Sequence, residues 1–155
     1  MGRNRGKKLP IGIEDFEELI RSDFYYIDKT GLIRELLENW GAVNLFSRPR
    51  RFGKSLNMSM LRHFFEQGGS KDIFEGLEIS KEKKLCEEFM GRYPVVSVSL
   101  KGIQAGSYEM ACKMGAQAIN GEARRFQYLL ESQAPLPGRA DRVHADFQRK
   151  HFHRP

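Results

Sequence analysis

The stretch "NLFSRPRRFGKSLNMSML", residues 44–61, decides which fold this sequence is expected to adopt. It contains Gly53-Lys54-Ser55, which has the form of the last three residues of the P-loop pattern G-x-x-x-x-G-K-[ST]. In a P-loop, successive backbone N–H groups and the N-terminus of the following helix point at phosphate oxygens. The first glycine of the pattern is replaced here by Arg48. A G-K-S tripeptide is frequent by chance, so the neighbouring segments must decide whether it forms a phosphate-binding loop.

Those neighbouring segments have the order that a P-loop fold requires. The apolar run "AVNLFS", residues 42–47, predicts a short buried strand, and "KSLNMSMLRHFFEQGG", residues 54–69, predicts an amphipathic helix. Further along, "PVVSVSL", residues 94–100, alternates β-branched and apolar residues with serines and predicts a second strand. Strands alternating with helices are typical of a parallel sheet with helical crossovers. The sequence therefore predicts an α/β fold, a partial P-loop NTPase in which a parallel sheet has flanking helices.

Apolar residues at helical spacing predict further helices on both sides of this unit. Asp28 or Thr30 is expected to cap one of them. Met58 and Met60 are expected to lie in the core, and His63 is expected to be structural. The predicted helices are residues 11–23, 31–40, 81–91 and 107–130, and the predicted organisation is a basic tail at 1–8, a domain at 9–131 and a second basic tail at 132–155.

The residues of the loop suit phosphate chemistry, with one exception. The lysine of a P-loop reaches the β- and γ-phosphates, and the hydroxyl that follows it ligates Mg²⁺. Three arginines between residues 48 and 51 carry guanidinium groups that match phosphate oxygens. Pro49 has no N–H group and therefore removes one potential phosphate donor. A solvated basic turn is the alternative explanation for the arginines.

Three segments together resemble the AAA-ATPase-like domains of bacterial proteins, which are often joined to a C-terminal PD-(D/E)xK nuclease-like module. The segments are residues 9–40 with "YIDKT", residues 45–66 with "RPRRFGKS", and "YPVVSVSL" at residues 93–100. The resemblance implies that the arginine-rich loop is this family's normal Walker A variant, which binds ATP together with Mg²⁺. The residues that it implies for nucleotide binding are Arg48, Pro49, Arg50, Arg51, Phe52, Gly53, Lys54 and Ser55, with Ser55 also ligating the Mg²⁺ ion.

Hydrolysis of ATP needs a further group, a Walker B acid that holds Mg²⁺ and positions water. The resemblance places this acid on a strand beyond the region that matches "YLLES", residues 128–132, and the sequence offers no such strand there. Asp28 precedes the loop and is a poor substitute for that acid. The sequence therefore predicts nucleotide binding, argues against hydrolysis by this chain and indicates the N-terminal part of a longer domain; no nuclease motif is found.

The positive net charge is concentrated at the two ends. Of the net charge of +6, residues 1–8 contribute +4 and residues 139–155 contribute +3, which leaves the remainder at −1. Basic ends can bind nucleic acid weakly through counterion release, although solvation is their commoner role. The alternatives to ATP binding are therefore an inactive gene fragment and a module that binds nucleic acid or protein through these ends.

Cellular location is indicated by two further features of the sequence. No apolar run reaches the roughly 20 residues needed to cross a bilayer, and no signal peptide is evident. The two cysteines have neither disulfide-scaffold nor zinc-site spacing. These features predict a cytoplasmic protein without membrane contact.

Overall fold

The structure, a computed structural model, describes residues 6–39, 41–49 and 51–131, and side chains as far as residue 129. Most of the predicted N-terminal tail and the whole segment 132–155 lie outside the described residues, as does Arg50. The chain divides into two compact units, the first ending at Val95 and the second beginning at Val96.

Helices account for the regular structure of both units. The first unit contains α1 (Phe16–Arg21), α2 (Gly31–Glu38), α3 (Lys54–Phe65), α4 (Lys83–Phe89) and two 3₁₀ helices, Asp72–Phe74 and Glu78–Lys81. The second contains α5 (Tyr108–Arg125) and α6 (Tyr128–Glu131). The predicted helices are confirmed in all five places, except that the segment predicted as one helix at 107–130 is broken after Arg125.

Capping explains where several helices begin and end. Asp15 occupies the N-cap of α1, where its carboxylate accepts the N–H of Glu18 at 3.0 Å. Ser107 does the same for α5 by accepting the N–H of Met110 at 3.3 Å. Helix α2 stops at Glu38 because Asn39 takes the C-cap, and the amide of Asn39 donates to the carbonyl of Glu35 at 3.0 Å.

The core of the first unit forms where α1, α2 and α3 meet the two 3₁₀ helices. Aromatic rings dominate its centre: the ring centroids of Phe16 and Phe74 are 5.2 Å apart, and those of Phe64 and Phe74 are 5.5 Å apart. Burial of large apolar side chains such as these is the main favourable term in folding. The buried apolar residues are Phe16, Leu19, Ile33, Met60, Leu61, Phe64, Ile73, Phe74, Ile79 and Met90.

The predicted α/β fold, a partial P-loop NTPase with a parallel sheet, is wrong for the part of the chain that the structure describes, which is helical. Neither 42–47 nor 94–100 forms a strand, and the described residues contain no sheet. The side chains that should have been buried are exposed, Val43 to 86% and Val96 to 67%. Pairing is limited here to one parallel bridge between Glu66 and Tyr93. The physical reason is that alternating apolar and polar residues indicate only that the side chains suit a strand. A strand also needs a neighbouring segment to pair with its backbone N–H and C=O groups.

Among the described residues, every helix is too short or too polar to cross a bilayer.

Candidate functional site

The loop before α3 turns sharply at two residues with left-handed backbone. Gly53 has φ 70° and ψ 20°, and Arg51 has φ 68°. Only glycine adopts this conformation without a steric penalty. A Cβ atom built on Gly53 would meet no atom within 4 Å, so the need for glycine is conformational and not a matter of space.

Gly53 also sets the start of α3. It occupies the N-cap position, and its carbonyl accepts the N–H of Asn57 at 2.9 Å. Because glycine has no side chain with which to cap the helix, the N-terminus of α3 opens directly onto the loop. Backbone N–H groups in the first turn of a helix lack intrahelical acceptors and carry partial positive charge. This end of α3 therefore has the electrostatic character that attracts anions.

The side chain of Lys54 folds back along the loop. Its Nζ atom donates to the carbonyl oxygen of Arg48 and, at 3.1 Å, to that of Pro49. Pro49 thus takes part through its carbonyl group, although it has no N–H to offer. The contacts hold the ammonium group inside the turn of the loop.

The other predicted site residues occupy the same turn. Arg48, Pro49, Arg51 and Phe52 are exposed, Phe52 to 65%, and Ser55 is half-buried in the first turn of α3. The structure therefore brings the described loop residues together around one helix terminus, while Arg50 lies outside the described residues.

A cleft of about 540 Å³ adjoins this loop. Arg48 and Lys54 line it, so it opens on the part of the loop where the lysine lies. Its volume falls within the roughly 300–1,000 Å³ typical of small-molecule sites. The remaining lining residues come from α2, α3 and the segments around them: Asp28, Lys29, Gly31, Leu32, Arg34, Glu35, Asn44, Phe46, Asn57, Met58, Leu61 and Glu78.

One wall of the cleft is fixed by hydrogen bonds from the "YIDKT" segment. The carboxylate of Asp28 accepts the N–H of Thr30 at 2.8 Å, the hydroxyl of Thr30 at 2.7 Å and the N–H of Glu78 at 2.7 Å. The buried hydroxyl of Thr30 in turn accepts the N–H of Ile79 at 3.1 Å. The Asp28–Thr30 pair therefore joins the start of α2 to a 3₁₀ helix about fifty residues later. Asp28 thus has a structural role, but the expected helix cap does not form, because Thr30 is the N-cap residue of α2 and makes no side-chain cap hydrogen bond.

Burial and hydrogen bonding also shift the pKa values of Asp28 and of the neighbouring Tyr26. Burial acts to raise the pKa of Asp28, but hydrogen bonds from Thr30 and Glu78 and the charge of Lys81 outweigh it, so the pKa is lowered. Burial raises the pKa of Tyr26 to about 12, and the nearby Asp28 charge acts in the same direction. The tyrosine hydroxyl accepts the N–H of Lys29 at 3.0 Å and donates to the sulfur of Met60 at 3.5 Å.

His63 belongs to a different, structural cluster. Its Nε2 atom lies 3.1 Å from Asp15 Oδ2, which also accepts the hydroxyl of Ser59 at 2.9 Å. Ser59 donates to the aspartate and not to the histidine, so the three residues do not form the relay of a serine nucleophile. Met60 is buried as expected, whereas the expectation for Met58 is wrong, because Met58 is 53% exposed and lines the cleft.

Comparison with known proteins places the chain in a family. Residues 10–153 match the sequence pattern of the family described as "Predicted AAA-ATPase". The chain belongs to this family. No solved structure matches the chain significantly.

A curated relative shares part of this AAA-ATPase-like sequence. It is the "Uncharacterized protein in vnfD 5'region" of Azotobacter chroococcum mcd 1, which is 40% identical over 97 residues. The match covers 62% of this chain and 17% of that protein. The chain thus spans a small fraction of its relative's length.

Sequence reasoning identified the loop of this AAA-ATPase-like chain but missed the cleft beside it. The contribution of α2 depends on tertiary packing, since Leu32 and Glu35 are separated from Lys54 by about twenty residues. The sequence feature that could have indicated the cleft was the "YIDKT" segment, residues 26–30, but the sequence suggested only that this segment caps a helix.

Proposed function

We propose that this AAA-ATPase-like chain binds ATP with Mg²⁺ through residues 48–55. The observation that carries the proposal is the position of Lys54, which follows a left-handed Gly53 at the start of α3 and folds back onto the loop carbonyls. A cation held inside a turn that ends at a helix N-terminus is suited to phosphate.

Each group would have a distinct part in binding. The ammonium of Lys54 leaves the carbonyls of Arg48 and Pro49 and pairs with the β- and γ-phosphates. The exposed side chains of Arg48 and Arg51 would neutralise phosphate charge at the rim of the loop. The hydroxyl of Ser55, in the first turn of α3, would hold the Mg²⁺ ion, which would supply positive charge to the phosphates.

The proposal covers binding and not hydrolysis. Hydrolysis requires in addition an acid that positions Mg²⁺ and a group that orients the attacking water. Asp28 does not serve as that acid here, because its carboxylate oxygens already accept hydrogen bonds from Thr30 and Glu78.

Isothermal titration calorimetry with Mg²⁺-ATP tests the proposal. Lys54→Ala removes a charged hydrogen-bond donor to phosphate, so we expect the Kd to rise about tenfold or more. Lys84→Ala is the matched control, because Lys84 is an exposed lysine on α4 away from the cleft lining. Equal affinities for the parent protein and both variants would overturn the proposal, as would no binding by the parent.

A further inference from the structure

We propose that residues 96–100 form a self-pairing surface, through which a second copy of this chain binds in an antiparallel arrangement. The surface belongs entirely to the second unit and is independent of nucleotide binding. Its pairing covers apolar side chains that the second unit leaves exposed.

The second unit has no core of buried side chains among its described residues. None of the side chains of residues 96–129 is buried, although this stretch includes the 18-residue helix α5. Most of the stability of a helix in a protein comes from packing one of its faces. The large apolar and aromatic side chains that this unit exposes are Val96, Val98, Leu100, Tyr108, Met110, Ile119 and Tyr128. They present on the order of 700 Å² of surface, close to the roughly 800 Å² that each partner buries in a stable complex.

One backbone edge of residues 96–100 is held against α5. The N–H of Ser97 donates to Oε1 of Glu122, a residue of α5, at 2.9 Å. The same oxygen accepts an N–H of the Arg125 guanidinium at 2.7 Å. Residues 96–100 contain no helix and no turn. In an extended segment, successive residues direct their N–H and C=O groups to opposite edges, so Val98 and its alternate neighbours direct theirs away from Glu122.

The opposite backbone edge is open. Within the part of the chain that the structure describes, no hydrogen bond uses the N–H of Val98 or Leu100, or the carbonyl of Val96 or Val98. The carbonyl of Leu100 accepts the N–H of Ile103 at 3.2 Å, which leaves the N–H of Leu100 available. A row of unpaired backbone groups of this kind is a template on which another chain can pair.

The segment is complementary to its own reverse. With Val98 on a twofold axis, Val98 of one copy faces Val98 of the other, Val96 faces Leu100, and Ser97 faces Ser99. Apolar side chains therefore meet on one face and serines meet on the other. The N–H of each Val98 reaches the carbonyl of the other, and the N–H of Leu100 reaches the carbonyl of Val96. A slip of one residue would place Val98 opposite a serine, so the register is specified.

Charge selects the antiparallel arrangement over the parallel one. Lys101 directly follows the segment and is exposed. In a parallel pair in register, the two Lys101 residues would lie opposite each other, and like charges in that position destabilise a strand pair. In the antiparallel pair they lie at opposite ends of the interface, offset by about 20 Å along the strands. A second copy thus satisfies the apolar, hydrogen-bonding and charge requirements of this surface together.

Sedimentation equilibrium of the full chain across a concentration series tests the inference, and we expect a monomer–dimer equilibrium. Val98→Lys places like charges opposite each other on the axis, so the Kd of the dimer should rise about tenfold or more. Val43→Lys is the matched control, because Val43 is also an exposed valine but lies outside the segment. A parent that stays monomeric at about 100 µM, far above the micromolar Kd of a weak interface, would overturn the inference. Equal effects of the two variants, or no effect of Val98→Lys, would do the same.

Cysteine cross-linking tests the register without disrupting the interface. In Val98→Cys the new thiols face each other, with Cα atoms about 5.5 Å apart, which a disulfide can span. In Val96→Cys the new cysteines of the two copies are offset by about 14 Å, which a disulfide cannot span. After treatment with an oxidant, peptide mass spectrometry should find the 98–98 disulfide and no 96–96 disulfide. Equal yields of the two links, or a dimer of Val98→Cys without the 98–98 link, would overturn the inference.

Discussion

The ammonium group of Lys54 lies 3.1 Å from the carbonyl oxygen of Pro49 and also donates to the carbonyl of Arg48. The lysine thus occupies the inside of the turn that precedes α3. A phosphate bound there must replace both carbonyls as the partner of the ammonium group. The resting contacts therefore oppose binding, while the charge of the lysine favours it.

Lys54→Met removes the carbonyl contacts and the charge together, so the melting temperature is compared both without and with Mg²⁺-ATP. The side chain of Lys54 is exposed, so the loss of its carbonyl contacts is expected to change the melting temperature of the free protein little. Mg²⁺-ATP should raise the melting temperature of the parent by mass action and fail to raise that of the variant. A variant that unfolds without ligand, or one stabilised by ATP as much as the parent is, would contradict the expectation. Thermal unfolding followed by circular dichroism makes the comparison.

Gly53→Ala should destabilise the first unit through backbone strain alone. The left-handed φ of 70° costs an L-residue about 1–2 kcal/mol, while the added methyl group meets no atom within 4 Å. Gly102→Ala is the control, since that glycine also has open space around it but no left-handed φ. Urea unfolding should show a lower midpoint for Gly53→Ala alone. Equal midpoints for the two variants would contradict the role assigned to Gly53.

Asparagine at position 53 refines this test. Asn adopts left-handed backbone more readily than Ala does, so Gly53→Asn should lose less stability than Gly53→Ala. The reverse order would indicate that steric contact, and not φ, requires the glycine.

The helices of this chain could be predicted because their signals are local. Apolar residues at helical spacing lie within a single segment, and each segment with that spacing forms a helix. The caps were not predicted: α1 and α5 are capped by Asp15 and Ser107, whereas the cap expected from Asp28 or Thr30 does not form. The strands could not be predicted in the same way. The alternation of Val96 and Val98 with serines is also local, but a strand exists only when a second segment pairs with it, and neither predicted strand segment has such a partner within the described residues.

In the candidate site, likewise, the sequence predicted the local part and not the part that depends on tertiary contacts. The G-K-S tripeptide and the helix after it are contiguous, so the turn at Gly53 could be expected from the sequence. The cleft could not, because its second wall requires Asp28 to reach the N–H of Glu78, fifty residues away. No periodicity or motif in a single sequence encodes that contact.

Asp28→Asn should test this long-range link. Both carboxylate oxygens of Asp28 now accept hydrogen bonds, one from Glu78 and the other from Thr30. An amide has only one oxygen, so its NH₂ group would face either the N–H of Glu78 or the N–H and hydroxyl of Thr30. Loss of such contacts in a partly buried site costs roughly 1–3 kcal/mol, so the urea midpoint should fall. Asp23→Asn is the control, because Asp23 is exposed, pairs with Lys7, and has a positive φ that asparagine tolerates. A similar loss in both variants would contradict the role of Asp28.

Acid should weaken the fold by protonating the carboxylates with lowered pKa values, which are Asp15, Glu17 and Asp28. For Asp15, burial opposes ionisation, but hydrogen bonds from Glu18, His63 and Ser59 outweigh it and lower the pKa; Asp28 behaves likewise. Because both pKa values lie below the ordinary 3.8, folding favours the ionised forms. Their stabilisation is complete above the unfolded pKa and is lost as the pH falls below about 4, through the folded values.

Urea midpoints measured between pH 7 and pH 2.5 check this expectation. These carboxylates should leave the midpoint unchanged between pH 7 and about pH 5, and their protonation should lower it steeply below about pH 4. In Asp28→Asn the acid loss should be smaller than in the parent, because one of the carboxylates with a lowered pKa is gone. A parent whose stability rises on acidification, or an Asp28→Asn profile parallel to that of the parent, would show that these carboxylates do not stabilise the fold in their ionised forms.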